Sequence, residues 1–387
     1  MTSWVGREFE VTVGAVAHGG HCVARHEGRV VFVRHTLPGE RVVVSVTEDR
    51  GGSFCRGDAI SVLTESPDRV TPPCPVAVPG GCGGCDWQHA SWPAQRALKA
   101  AVVAEQLRRL AGVTMPVEVE ELPGGPLHWR TRVRLTVDSV GRPGFRAHRS
   151  HRVVPVTDCP IAAYGTVDAV AGESWEPGAS LAVTVDAQAQ THVSVDGSDG
   201  GVAVEKAARR EWQVSSDGFW QAHPDSADVY SEVVAGWSDL AVGESAWDLY
   251  AGVGLFASVL AGQVGPSGTV MAVESFRPAA VEAAENVADL PQVRVFAGKV
   301  EAVLRAGVGP DPDVVVLDPP RKGAGRAVVS AIASRVSRRV VYVACDPAAL
   351  ARDVATFQEH GFALAGLRAF DAFPMTHHVE CVALLTR

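Results

Sequence analysis

The chain has 387 residues, of which 47% are hydrophobic and 20% charged, with a net charge of −9. An apolar share this large excludes a disordered, collagenous or coiled-coil chain, and no apolar run reaches the roughly 20 residues that cross a bilayer. The opening MTSWVGREFEVTV lacks the basic-then-apolar order of a secretory signal, and clustered Cys in such a chain point to a metal or to catalysis, so a cytoplasmic protein of two or three domains is expected.

Residues 8–62 read as short β-branched strands, EFEVTVGAVA, GRVVFVRHTL, ERVVVSVTED and RGDAISVL, broken by Gly, Pro or charged turns. Strands this closely spaced, with no helical period, predict an OB-like barrel over 1–64, a shape used by many single-stranded nucleic-acid binders. Residues 66–90 are rich in Pro and Gly and hold three Cys; such a segment packs poorly by itself and needs a staple. The spacing of SWPAQRALKAAVVAEQLRRLAGV predicts a helix, capped by Ser91 and ended by Gly112. Strand-like alternation over 128–196 completes a central α+β domain at 65–208. In the C-terminal domain, 209–387, the strands SAWDLY, GTVMAVE, VRVFA, DVVVLD and RRVVYVA alternate with helices, which predicts a doubly wound parallel sheet in an α/β fold. FALAGLRAFD and HVECVALLTR are joined by a short loop only, so they should pair antiparallel.

The first of the parallel strands leads into AWDLYAGVGLFA. Gly252 and Gly254 permit a tight turn and close backbone approach to a ligand, and Glu274, ending the second strand, can bind a ribose diol. With Ala257 the glycines also fit a dinucleotide loop. The Asp-x-x-x-Gly-x-Gly form starting at Asp248, and the residues downstream, favour S-adenosylmethionine. Asp318 closes DVVVLD, Cys345 follows RRVVYVA, and Glu380 precedes VALL. Ligands bind beyond the carboxyl ends of such strands, and an antiparallel last strand begins on that edge, so these three residues should share one site. Asp346 and Pro347 read as the N-cap and first residue of a helix. The helix N-terminus favours a Cys345 thiolate, and the Asp346 charge opposes it.

Cys74, Cys82 and Cys85, with Cys159 after the strand VVPVT, offer four thiolates for either a tetrahedral zinc or a 4Fe–4S cluster; their spacing does not separate the two. Cys22, Cys55 and Cys381 have no partner at useful spacing. The acidic net charge argues against a nucleic-acid partner, yet residues 128–152 hold seven Arg and one Asp. Arg130, Arg132 and Arg134 alternate and should share a strand face, and Arg142, Arg146, Arg149 and Arg152 continue the patch with His148 and His151. Arg suits phosphate and stacks on bases, so the patch reads as an RNA contact.

In chain order, LPGE at 38–41, CGGCDWQ at 82–88, GFWQ at 218–221, DLYAGVG at 248–254, DPPRKG at 318–323, CDPAALARD at 345–353 and FPMTHHVE at 373–380 resemble the motifs of the RNA uracil-5-methyltransferase family. The resemblance implies an N-terminal TRAM barrel and a Rossmann-like methyltransferase domain. It also implies methyl transfer from S-adenosylmethionine to C5 of a uridine in 23S ribosomal RNA or transfer RNA. It makes Cys345 the nucleophile and Glu380 the general base. Gln221, Tyr250, Glu274 and Asp318 then stand at the methyl donor, with Asp318 also facing the target base. It further implies an iron–sulfur cluster on the four Cys, and with it 23S ribosomal RNA as substrate. A monomer with no membrane contact is expected.

Four places depart from the family pattern. Seven residues separate Cys74 from Cys82 where five are usual, and the extra ones should loop out. His223, Leu255 and Asp346 each stand where Asn is common. Two other readings remain. One is an adenine amino-methyltransferase, whose Asp-Pro-Pro motif usually ends in an aromatic where Arg321 stands here. The other is an RNA-binding chaperone with a degenerate catalytic domain, against which Cys345 and Glu380 argue.

Overall fold

Valine at alternate positions builds the first unit. A computed structural model describes residues 3–387. β1 (Glu8–Thr12), β2 (Cys22–His26), β3 (Arg29–Arg34), β4 (Arg41–Glu48) and β5 (Phe54–Thr64) form a sheet in the order β1-β4-β5-β3-β2. Val11, Val13, Val31, Val33, Val42, Val44 and Val46 all turn inward. The sheet curls until residues past β1 reach β2. Gly14 N donates to Val23 O at 2.7 Å and Val23 N to Ala15 O at 3.0 Å, which closes the barrel. β2 escapes the sequence pattern because CVARH is short and turns only Cys22 and Ala24 inward.

After the barrel, α1 (Trp92–Gln106) begins behind Ser91 with Pro in its first turn. Its end widens into a π-turn over Leu107–Ala111 before Gly112 stops it at φ 66°. β6 (Val119–Glu121) follows. β7 (Arg132–Val137), β8 (Pro143–Arg146), β9 (Val153–Pro155), the short α2 (Asp168–Ala171), β10 (Ser180–Val185) and β11 (Thr191–Val195) come next, the strands forming an antiparallel sheet β11-β10-β7-β8-β9. β12 (Val202–Ala207) and β13 (Arg210–Ser215) make a separate hairpin, turned by Ala208 and Arg209 at φ 52° and 60°.

The remainder runs α3 (Ser226–Ser238), β14 (Ser245–Leu249), α4 (Leu255–Val264), β15 (Thr269–Glu274), α5 (Arg277–Asn286), β16 (Val293–Ala297), α6 (Val300–Arg305), β17 (Val314–Leu317), α7 (Arg326–Ala333), β18 (Arg339–Ala344), α8 (Pro347–Glu359), β19 (Ala363–Asp371) and β20 (Glu380–Thr386). The sheet order is β16-β15-β14-β17-β18-β20-β19-β6. β14 to β18 are mutually parallel, and β20 is antiparallel to both β18 and β19. Val314 to Leu317 are wholly buried, as in a strand covered on both faces. Two links cross the domain boundaries drawn from the sequence. The 208/209 boundary falls in the turn of the β12–β13 hairpin, and β6 pairs in parallel with β19. Among the described residues, no helix is long and apolar enough to cross a membrane.

α1 is fastened to this sheet by a buried charge. Lys99 is fully buried and donates to Asp371 Oδ1 at 2.5 Å and to Phe373 O at 3.0 Å. Trp92 Nε1 donates to the other Asp371 oxygen at 2.9 Å. Burial pulls the Lys99 ammonium below its usual range and Asp371 opposes that pull. Lys99→Met leaves Asp371 buried without its counter-charge and is expected to destabilise the protein by about 3–5 kcal/mol. Adding Asp371→Asn should recover most of the loss. Urea denaturation followed by tryptophan fluorescence measures both.

Candidate active site

Strand register brings Cys345 and Glu380 together. Ala344 of β18 lies opposite Cys381 of β20. Cys345 follows the first and Glu380 precedes the second, so the two sit side by side at the carboxyl edge of the parallel strands. Asp318 leaves β17 at the same edge, its N–H donating to Leu249 O at 3.2 Å. Glu380 is 3% exposed; burial and the facing Asp318 push its carboxyl well above the usual range, and Arg321 pulls it back. Burial raises Asp318 to about 7. The Cys345 thiol is pushed up to about 12 by burial, then by Glu380 and Asp318, with Arg321 acting in the other direction. The helix N-terminus expected to favour a thiolate is present, since Asp346 Oδ1 accepts from Ala349 N at 2.7 Å, but burial and carboxylates outweigh it.

Two residues to which the sequence motifs assign no role, Asp353 among them although it ends CDPAALARD, complete this edge. Tyr230 of α3 is buried, and Glu380 and Asp318 act on its hydroxyl. In the sequence it is one more apolar-stripe position. Asp353 of α8 accepts from Ala324 N at 2.7 Å, Gly325 N at 3.1 Å and the Tyr342 hydroxyl at 2.7 Å, fixing the loop that follows Asp318. A Cβ on Gly323 would lie 2.7 Å from Asp353 Oδ2, so glycine is required there.

The glycine loop adjoins this edge. Tyr250, Gly252 and Gly254 have φ of 66°, 54° and 98°, a path that turns the chain sharply from β14 into α4. Glu274 holds it, accepting from Gly252 N at 3.0 Å and Phe276 N at 2.5 Å. A Cβ on Gly252 would meet nothing within 4 Å, so its face is open. Asp248 is wholly buried beneath the loop with no cation beside it among the described residues; burial raises it to about 8, and the Ala257 N–H pulls the other way. Gln221 stands between β13 and α3, beside the buried Trp220. His223 is buried and stacked on Trp129, and Leu255 opens α4 within the apolar core.

Cys74, Cys82, Cys85 and Cys159 line one cavity with Gln88 and Arg130. Residues 74–82 fold as two turns, Ala77 N to Cys74 O and Gly81 N to Val78 O, so the longer spacing loops out. Gln88 Nε2 lies 3.1 Å from Cys85 Sγ and Gly84 N lies 3.4 Å from Cys82 Sγ. Burial raises the thiols of Cys82, Cys85 and Cys159. Among the described residues, no three Cys, His, Asp or Glu are arranged to hold a single ion.

The loop carrying Cys74, Cys82 and Cys85 grips the loop that precedes Glu380. Met375 O accepts from both Asp86 N and Trp87 N at 3.0 Å, and Met375 N donates to Gln95 Oε1 at 2.7 Å. Asp86 Oδ2 accepts from His377 N at 3.0 Å and lies 2.6 Å from His377 Nδ1.

The Arg patch divides. Arg132 is drawn under the β12–β13 hairpin, where it pairs with Glu205 at 2.7 Å and donates to the carbonyls of Ser216 and Gly218. It is therefore an internal strut, not the RNA contact the sequence suggests. Arg142 pairs with Asp138, Arg149 with Glu48 of the barrel, and Arg152 with Gly80 O. Arg130 precedes β7 and turns toward the Cys cavity. Arg134 and Arg146 stay exposed with no ion pair among the described residues.

A TRAM domain model matches residues 3–60, and a tRNA (uracil-5-)-methyltransferase family model matches residues 309–387. An uncharacterized RNA methyltransferase of Streptomyces coelicolor is 48% identical, covering 99% of this chain and 93% of its own length. The chain belongs to the RNA (uracil-5-)-methyltransferase family. A relative from Bdellovibrio bacteriovorus, also described as an RNA methyltransferase, is 32% identical over 98% of this chain and 95% of its own. The Pyrococcus abyssi tRNA (uracil-54, C5)-methyltransferase, solved with S-adenosyl-L-homocysteine, shares the fold at a TM-score of 0.74 and 20% identity, covering 97% of this chain and 100% of its own.

A methyltransferase of this family needs a cationic sulfonium donor, and the site fits one. Asp248, Asp318 and Glu380 are three carboxyl groups raised by burial around one loop, and Asp248 has no neighbour to neutralise it. A cation entering there gains from all three. Without it, the raised Cys345 is a thiol at neutral pH. Iodoacetamide alkylation of Cys345, followed by peptide mass spectrometry on the free methyltransferase, is therefore expected to speed up about tenfold per pH unit from 7 to 10. A rate already at its plateau at pH 7 would contradict the raised thiol.

Proposed function

We propose that this chain transfers the methyl group of S-adenosylmethionine to C5 of a uridine in RNA, through a temporary bond between Cys345 and C6. The observation that carries the reading is the pairing of a thiol and a buried carboxylate across β18 and β20, beside a glycine loop suited to a cationic nucleotide ligand. C5 of uracil is a poor nucleophile. Addition of the Cys345 sulfur to C6 makes C5 enolate-like. S-adenosylmethionine supplies the electrophilic methyl group to C5, its sulfur–methyl bond breaking to leave the neutral thioether S-adenosylhomocysteine. Glu380 then takes the C5 proton, and elimination breaks the S–C6 bond and frees Cys345. Burial makes Glu380 a stronger base than an exposed carboxylate, which suits proton abstraction near neutral pH. Arg321 opposes the upward shift of both Cys345 and Glu380, helping each to ionise. Gln221, Tyr250, Gly252, Gly254, Glu274 and Asp318 hold the donor in this reading. The target uridine must leave any stack to reach the sheet edge, so flipping or an unpaired loop is required.

The four Cys hold a 4Fe–4S cluster in the same reading. Four thiols around one cavity, with N–H groups aimed at two of the sulfurs, support a thiolate-bound group there, and the resemblance favours the cluster over zinc. The cluster stabilises its loop; methyl transfer needs no electron. With it goes 23S ribosomal RNA as substrate. In the same reading the enzyme works as a monomer in the cytoplasm, one chain supplying donor loop, nucleophile and base.

Release of tritium from C5-tritiated uridine in 23S ribosomal RNA tests the chemistry, with transfer RNA as the second substrate arm. The wild type is expected to release tritium, Cys345→Ala none, and Glu380→Gln to accumulate a methylated protein–RNA adduct. RNA containing 5-fluorouridine should trap the wild type covalently. Full activity of Cys345→Ala would overturn the reading. The purified protein should be brown and contain iron, and Cys85→Ser should lose both; zinc with no visible absorbance would reject the cluster.

A further inference from the structure

We propose that His18, on the N-terminal barrel, is a positioning residue for the nucleophile loop, binding the free oxygen of Asp346 and offsetting that charge beside Cys345. The two residues are 328 positions apart, yet His18 Nε2 lies 2.9 Å from Asp346 Oδ2. Asp346 uses its other oxygen to cap α8. An Asn would cap equally well. The carboxylate in its place adds a negative charge next to a thiol already facing two others.

The contact is built, not incidental to a loose loop. Ala17 N donates to His21 O at 2.7 Å and Gly20 N to Ala17 O at 3.1 Å, a tight turn with His18 at its tip. Gly20 O accepts from Trp87 Nε1 at 3.0 Å. A Cβ on Gly20 would lie 2.9 Å from the His377 Cβ and 3.3 Å from the Asp86 Cβ, so the turn is wedged between the Cys loop and the loop before Glu380. From this seat His18 reaches the nucleophile loop as well. The ionisable groups acting on Cys345 are Glu380, Asp318, Arg321 and Asp346; those acting on Asp346 include His18 and Arg352. His18 is the one contributed by the barrel.

The inference rests on Cys345 as the reactive thiol, but its test needs neither RNA nor methyl donor. In the full-length protein, alkylation of Cys345 by iodoacetamide is followed by peptide mass spectrometry across pH. His18→Ala is expected to slow alkylation at pH 8 by about threefold or more and to move the profile to higher pH. Asp346→Asn should alkylate faster than wild type, and adding His18→Ala to it should change nothing further. A wild-type rate in His18→Ala, or an equal slowing by His18→Ala in the Asp346→Asn background, would overturn the proposal. A negative result leaves uridine methylation standing, and a failed tritium-release assay leaves the His18 contact standing.

Discussion

The structure depends on how the loop between β19 and β20 is held. That loop has no regular backbone partner of its own, and Met375 takes a φ of 68° within it. Apart from a turn in which Thr376 donates to Phe373 O, its polar groups are satisfied from elsewhere: Met375 by Asp86, Trp87 and Gln95, His377 by Asp86, and Phe373 O by Lys99 as well. Buried polar groups without such partners would each cost on the order of 1–3 kcal/mol. Because β20 begins where this loop ends, the grip of the Cys loop and α1 decides where Glu380 stands. The Pro/Gly-rich segment with little packing of its own thus forms the brace of the site, and a group stapling its three Cys to Cys159 would stiffen that brace.

The electrostatics of the site run against stability. Asp248, Asp318 and Glu380 are buried with carboxyl groups held above their ordinary range. A protein built for stability alone would not bury three such acids, two of them facing one thiol. Such an arrangement is favourable once a positive ligand enters, and it keeps the thiol protonated until then. Arg321 counters Glu380 from the loop after β17, while His18 of the barrel lies against Asp346.

The basic stretch shows how composition misleads. Seven Arg in 25 residues look like one nucleic-acid surface, yet Arg132 is drawn inside and the exposed Arg142, Arg149 and Arg152 are each engaged by a neighbouring group. Arg132 ties the central sheet to the β12–β13 hairpin, and Arg149 ties it to the barrel. Arg146 and Arg149 with His148 and His151 still line an open hollow beside Gly83 of the Cys loop, so part of the basic surface is presented outward there.

Alternating valines and strand–helix spacing determined the barrel and the doubly wound sheet, because burial on one face or two faces imposes its own period on the sequence. Strand-end positions determined which residues meet: Asp318, Cys345 and Glu380 could be put on one edge from topology, since a short connection forces β20 to run antiparallel. Backbone strain at Gly252 and Gly254 was likewise legible. Long-range side-chain pairing was not. Nothing local marks Lys99 as the partner of Asp371, Asp86 as the holder of His377, or His18 as the neighbour of Asp346. These contacts join segments hundreds of residues apart, and only the packing of the three units against each other brings them within hydrogen-bond reach. The same packing took Arg132 out of solvent, because a strand face reads as exposed until the hairpin that covers it is known.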